Sequence, residues 1–235
     1  MTFTKGKNCE GLKSFLCKPW LIRSAHFIIP VGISSHLWYK KCMNKKEVLE
    51  LIKSTASPLK RQLLMVSIVS ALLEKRGKAS PVLIGGCALS YYSREVYFTA
   101  DIDLAYSDRE SLNEVLLELG FKKEGRYWFN EDLAIAIEAP ADQLIDEDAP
   151  LEIVEFEEGL SCRILGMEDL IIDRMNACKH WKSESDCEMV ELLVSRYEES
   201  LDWNYLENKA SRPENDILKE LMEIKRNVRD ENQEN

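Results

Sequence analysis

Two carboxylates, Asp101 and Asp103, stand two residues apart in the stretch TADIDLAY, residues 99–106. That stretch alternates apolar with polar or small residues and predicts a strand. A strand has a side-chain period of two, so both carboxylates point to one face while Ile102 and Leu104 point into a core. Two such groups a few ångströms apart repel each other unless a cation lies between them. Mg²⁺ favours this arrangement, because it binds through one or two carboxylates, several waters and substrate phosphates. The pair could therefore hold one or two metals that activate a hydroxyl and neutralise a leaving pyrophosphate. Upstream, Gly85-Gly86 follows Val82-Leu83-Ile84. A glycine pair permits a tight turn with close backbone approach, and a helix starting there aims its first N–H groups at any bound phosphate. Taken alone, the aspartates also fit a solvated strand edge, and the glycines a plain strand-to-helix turn. Strand, glycine pair, helix and D-x-D strand in succession is a much rarer combination.

The elements that must position these residues can be read outward from them. Residues 44–55 and 58–76 predict two helices, the second with Pro58 in its first turn and Gly77 at its exit. A short strand ends at Ile84, and a helix is expected over 87–93. Residues 108–119 predict another helix, started by Ser107 or Asp108 and stopped by Gly120. Short strands follow at Tyr127–Phe129, Leu133–Glu138, Leu151–Phe156 and Ser161–Ile164. From Gly166 the pattern turns helical, over 167–180, 184–198, 201–208 and 213–228, with Pro213 in a first turn. The fold class is α/β (α+β): a mixed sheet with flanking helices and a C-terminal helical segment. The expected organisation is 43–165 as the α/β domain, 166–228 as helices packed on it, and 229–235 as a frayed tail.

The stretch IGGCALSYYSREVYFTADIDL resembles the nucleotidyltransferase superfamily pattern of GG-x-A, a short helix, then T-x-D-I-D-L. It is most similar to the minimal group that includes AbiEii-like toxin nucleotidyltransferases and related prokaryotic proteins, over roughly residues 60–195. The resemblance implies a nucleotidyltransferase-type sheet in which Gly85, Gly86 and Thr99 cradle the triphosphate and Asp101 and Asp103 bind Mg²⁺ or Mn²⁺. It also implies a third carboxylate on a later strand. Glu138, at the end of LAIAIE, is the first choice and Glu155 the second; a solvated strand end is the plain alternative for Glu138. The group often carries an Arg two residues before the Thr. Tyr97 stands there in this chain, and Arg94 is the nearest substitute, from a different angle.

The stretch GMEDLIIDRMNACKHWKSESDCEMVELL is similar to the group's helical segment, which carries basic residues and an Asp. Lys179 and Lys182 are the expected phosphate contacts, with a solvated helix face as the plain reading. Asp186 is expected to cap or tie the helical hairpin rather than act chemically. His180, beside Trp181, reads as a packed or capping histidine, which leaves Asp103 to activate the acceptor hydroxyl. Of the aromatic residues Tyr91, Tyr92, Tyr97 and Phe98, one could stack on a base, with core or rim roles for the others.

The chain has 235 residues, 45% hydrophobic and 31% charged, enough for one good core and an appendage. Its net charge of −10 is uneven. Residues 1–42 hold seven basic residues and one acid, so the remainder carries −16. An acidic body opposes broad nucleic-acid binding, so no DNA partner is expected. The apolar run ending at Tyr39 contains Pro30 and His36, which argues against a signal peptide, and it is too short for a membrane span. Met43 opens a normal-looking start, so residues 1–42 read as an atypical extension outside the native protein. Seven cysteines with no CxxC pair fit neither a zinc ribbon nor a disulfide framework. Cys87 and Cys178 read as small core residues, with reduced thiols and a cytoplasmic location. The expected function is Mg²⁺-dependent transfer of a nucleoside monophosphate from an NTP. The acceptor would be an RNA such as tRNA, a protein hydroxyl or a small molecule, and resemblance adds a toxin–antitoxin or defence setting with a cognate antitoxin. The competing readings are a nucleotide-binding or regulatory module that has lost catalysis, which Tyr97 favours, and an interaction scaffold.

Overall fold

The structure is a computed structural model that describes residues 45–144, 149–156 and 159–234. The basic and apolar extension, 1–42, lies outside the described residues. The chain opens with helices α1 (Lys45–Ser54) and α2 (Pro58–Lys75), then strand β1 (Val82–Ile84), helix α3 (Gly85–Tyr92), strand β2 (Asp101–Ala105) and helix α4 (Arg109–Glu118). Strands β3 (Lys122–Glu124), β4 (Tyr127–Asn130), β5 (Ile135–Ala141), β6 (Leu151–Glu155) and β7 (Ser161–Leu165) follow. Helices α5 (Met167–Trp181), α6 (Glu184–Tyr197), α7 (Trp203–Ala210) and α8 (Leu218–Glu234) complete the described part. The seven strands form one mixed sheet in the order β3-β4-β5-β2-β1-β7-β6, so the expected α+β class holds. Among the described residues, no helix is long and apolar enough to cross a membrane.

Register explains why the sheet has one dry face and one open face. Leu83 pairs with Leu104 and with Ile164, Ile102 with Ile137, and Ile137 with Trp128. Paired residues share a face, and all of these side chains are buried. Helix α2 packs against this face along β7 and touches α3 and α4. Its own sequence forms the helix readily. Ser57 caps it by accepting from the Lys60 N–H at 3.1 Å, Pro58 occupies the first turn, and Leu63 to Val69 are buried without a break. The opposite face carries Asp101, Asp103 and Glu138, together with exposed Phe129, Ile153 and Arg163.

Three elements differ from the sequence expectation. Helix α3 begins at Gly85 itself, so the glycine pair forms its first turn rather than preceding it. Strand β3 (KKE) has no apolar residue and all three positions are exposed, so no hydrophobic alternation marks it. It exists because Gly125, at φ +61°, turns the chain back to pair antiparallel with β4. The last helix starts at Leu218 and not near Pro213. A turn with Asp216 at φ +49° precedes it, and α8 runs through Glu234, across residues expected to fray.

The cysteine reading needs a larger correction. Cys178 is half-buried and forms a disulfide with Cys187, where a reduced core thiol was expected. Helices α5 and α6 are joined by a tight turn with Lys182 in the left-handed region, φ +55°, so residues nine apart come face to face. The helical periods of α5 and α6 hid that meeting from a search for close cysteine spacings. Among the described residues, Cys87 and Cys162 are the fully buried thiols, and burial pushes the Cys162 thiol up to about 12.

Candidate active site on the open face of the sheet

Strand pairing brings the acids together. β2 runs parallel to β5, with Asp103 directly across from Glu138 and Asp101 across from Ala136. All three carboxylates therefore share the open face, with Asp103 and Glu138 on adjacent strands about 4.8 Å apart. Asp101 is exposed, Asp103 half-buried and Glu138 buried. Glu155, the second choice for third acid, is exposed on edge strand β6, three strands from β2 in the sheet order.

The glycine pair fits this corner for steric reasons. Gly85 has φ +63°, and a Cβ there would overlap the Asp103 carboxylate. At Gly86 a Cβ would meet Thr99 Cγ2 at 3.1 Å and Tyr97 Cε1 at 3.4 Å. The chain thus lays the first turn of α3 directly against Asp103, Thr99 and Tyr97. Ile84, the cap residue of α3, supplies no side-chain hydrogen bond, which leaves the leading N–H groups to other acceptors. Thr99 is held from behind, where buried Gln62 donates Nε2–H to its carbonyl at 2.8 Å. Gln62 escaped sequence reading because one polar residue in an apolar helix carries no spacing signal.

The site is electrostatically unbalanced toward negative. Burial raises the Asp103 carboxyl above the ordinary carboxylate range, and a backbone hydrogen bond from Gly86 opposes that rise. The Glu138 and Asp101 charges push it up further, while Arg174 pulls it down. Such tension is relieved by a cation. Among the described residues, no three acid, His or Cys side chains close into a ready-made metal cage. The residues nonetheless fit Mg²⁺ or Mn²⁺, because Mg²⁺ usually relies on one or two carboxylates and lets phosphates and water complete the shell. Asp101 and Asp103 would hold it, with Glu138 within reach across the strand pair.

Two arginines face this cluster. Arg174 on α5 is bound to Asp173 and, at 3.0 Å, to Asp186 on α6, so Asp186 ties the hairpin as expected. Arg126, at the β3–β4 turn, places Nε 3.2 Å from Glu138 Oε1. Arg126 was missed because nothing in EGRYW relates it to residue 138; only the β4–β5 register does.

Other expected contacts lie elsewhere. Lys179 bonds the Asp216 carbonyl and lies 3.2 Å from the Glu220 carboxylate, so its charge is spent within the helical segment. Lys182 is exposed at the end of α5. Arg94 is exposed beyond the C-terminal end of α3, about 12 Å along the helix from the glycine pair. His180 is exposed, not packed, and its Nε2 lies 2.9 Å from the Asn215 carbonyl oxygen; Trp181 beside it is exposed as well. Tyr92 is buried and donates to the Leu165 carbonyl at 2.9 Å, and Phe98 is exposed near Thr99 in the chain.

No protein-family model matches this chain, and no curated protein does. Among solved structures, the antibiotic-resistance factor ANT(2'')-Ia is similar over 58% of this chain and 84% of its own length. The identity is 18% and the TM-score 0.39, a likeness too slight to bear on activity.

Proposed function

We propose that this protein is a nucleotidyltransferase that moves a nucleoside monophosphate from an NTP to an acceptor hydroxyl. The observation that carries the reading is the convergence of Asp101, Asp103 and Glu138 on one open face, against a first helical turn that only glycine can form. Neighbouring acids repel one another unless cations offset them, so their concentration beside the glycine turn supports a bound cation.

In this reading the acceptor oxygen attacks the α-phosphorus in line, the new P–O bond forms, and the bond to pyrophosphate breaks. Asp103 would take the hydroxyl proton. The side-chain-free Gly85–Gly86 turn would let the leaving phosphates approach the backbone. Mg²⁺ or Mn²⁺, when bound, supplies charge neutralisation and lowers the pKa of the coordinated hydroxyl. Lys182, exposed at the end of α5, is the phosphate contact this reading retains from the helical segment. The acceptor is an RNA end, a protein hydroxyl or a small molecule. A toxin–antitoxin or defence setting rests on the sequence resemblance alone.

A second reading has its own observation. Tyr97, where the related pattern has arginine, lies against Gly86. A site without that cation could bind nucleotide and not turn it over. Incubation with labelled NTPs, Mn²⁺, total tRNA and cell extract separates the two. Label transfer abolished by Asp101→Ala supports the enzyme. Saturable nucleotide binding without transfer supports the binding module and defeats the enzyme reading.

A further inference from the structure

Arg126 sits at an unusual place for an exposed arginine. Its side chain is 70% exposed, yet its Nε lies 3.2 Å from Glu138 Oε1, on a carboxylate side chain only 11% exposed. The residue is carried on a tight turn after Gly125, and it is steadied by Tyr127. Its Nη2–H donates to the Tyr127 hydroxyl at 2.6 Å, and its guanidinium lies 4.9 Å from the Tyr127 ring centre. Tyr127 pairs across the strands with Glu138. Tyr127, Glu138 and Asp103 thus form one row across the open face, with Arg126 folded over its outer end.

A buried carboxylate beside a second carboxylate needs a counter-charge. Among the described residues, Arg126 is the cation in contact with Glu138. Its hold is weak, because a partly exposed ion pair contributes little and a solvated arginine is easily withdrawn. A divalent ion between Asp103 and Glu138 brings two charges into the same space. We propose that Arg126 is a positioning residue that stands in for the metal at Glu138, keeping the third carboxylate in its coordinating place and giving way when a divalent cation arrives. The inference rests on the carboxylate cluster being the cation site proposed above.

The experiment titrates full-length wild type, Arg126→Gln and Arg126→Lys with Mn²⁺ in the absence of nucleotide. Bound ion is read by electron paramagnetic resonance, and Tm is recorded with and without saturating Mn²⁺. Arg126→Gln should bind Mn²⁺ about two- to fivefold more tightly, the span a partly exposed ion pair supports. Arg126→Lys should stay close to wild type. Metal-free Arg126→Gln should melt roughly 2–4 °C below wild type, a gap that saturating Mn²⁺ closes. A purely structural arginine would leave Mn²⁺ affinity unchanged and the melting gap in place; either result overturns the inference. Asp103→Asn locates the ion: Mn²⁺ binding that survives it defeats the inference and the metal-site reading together. If wild type binds Mn²⁺, Arg126→Gln tightens it and no NTP is ever transferred, the proposed activity fails while the role of Arg126 stands.

Discussion

The open face of the sheet and the C-terminal helices use the same residue types in opposite ways. In the helical segment, several acids and bases are paired inside the protein. Lys209 is paired with Asp169, which also accepts from the Tyr205 hydroxyl at 2.8 Å; Lys225 lies 2.9 Å from Glu207, and Arg229 2.7 Å from Glu198. On the sheet, three acids converge while the bases near them are either exposed, as Arg126 is, or tied elsewhere, as Arg174 is to Asp173 and Asp186. Charges matched within the chain fasten elements together. Charges left in excess create a demand that a ligand can meet. The contrast explains why Lys179, attractive in sequence as a phosphate contact, is a fastener between α5 and α8.

The contrast can be broken or sharpened by substitution. The largest effect should come from the buried fastener. The Lys209 and Asp169 side chains are only 7% and 11% exposed, so Lys209→Ala leaves a buried carboxylate without its cation and should cost about 3–5 kcal/mol in urea unfolding. A cost near zero would show that the helical segment is not held by its ion pairs.

Asp103→Asn should act the other way, lowering nucleotidyl transfer by about 10²–10³-fold or more while leaving the fold intact. The pH dependence has a definite sign. The folded-state carboxyl of Asp103 is raised, so the native protein holds that proton more tightly than the unfolded chain does. The stability it contributes is fully present below the unfolded value and is lost as pH rises through the raised one. Metal-free wild type should therefore lose Tm across that window, and Asp103→Asn should not. The same slope in both proteins would rule out electrostatic excess at this site.

Gly85→Ala comes next. A side chain at φ +63° is strained, and its Cβ would press on the Asp103 carboxylate, so a loss of about 1–3 kcal/mol and weaker NTP binding are expected together. Stability lost with NTP affinity retained would separate the turn from the nucleotide. The smallest effect belongs to Lys179→Ala, with only a slight loss of stability and the KM for NTP essentially unchanged. A KM raised tenfold or so would move Lys179 from the fastened group to the active face.

Much of the sheet was legible because its signals are local. The alternation in TADIDLAY put Asp101 and Asp103 on one face, and the run PVLIGG ended a buried strand at a turn. Helices α2 and α4 carried their end signals openly, and α5 and α6 were legible as helical stretches after Gly166. β3 was not legible, because Lys122-Lys123-Glu124 becomes a strand only through its partner β4. The choice of Glu138 over Glu155 could be ranked but not decided. Both sit on short strands, and their difference is which strand neighbours β2.

The sequence by itself determined the components: a strand period that aligns two aspartates, a glycine pair without side chains to block an approach, and a helical tail rich in charge. These follow from backbone geometry within a few residues. Only the tertiary structure decided which charges meet. The parallel pairing of β2 with β5 set Glu138 opposite Asp103, the antiparallel pairing of β5 with β4 brought Arg126 over Glu138, and the α5–α6 turn joined Cys178 to Cys187. Each of these depends on contacts between segments distant in helical or strand register. Coulomb energy and disulfide bonding depend on distance in space, and spacing along the chain does not specify it.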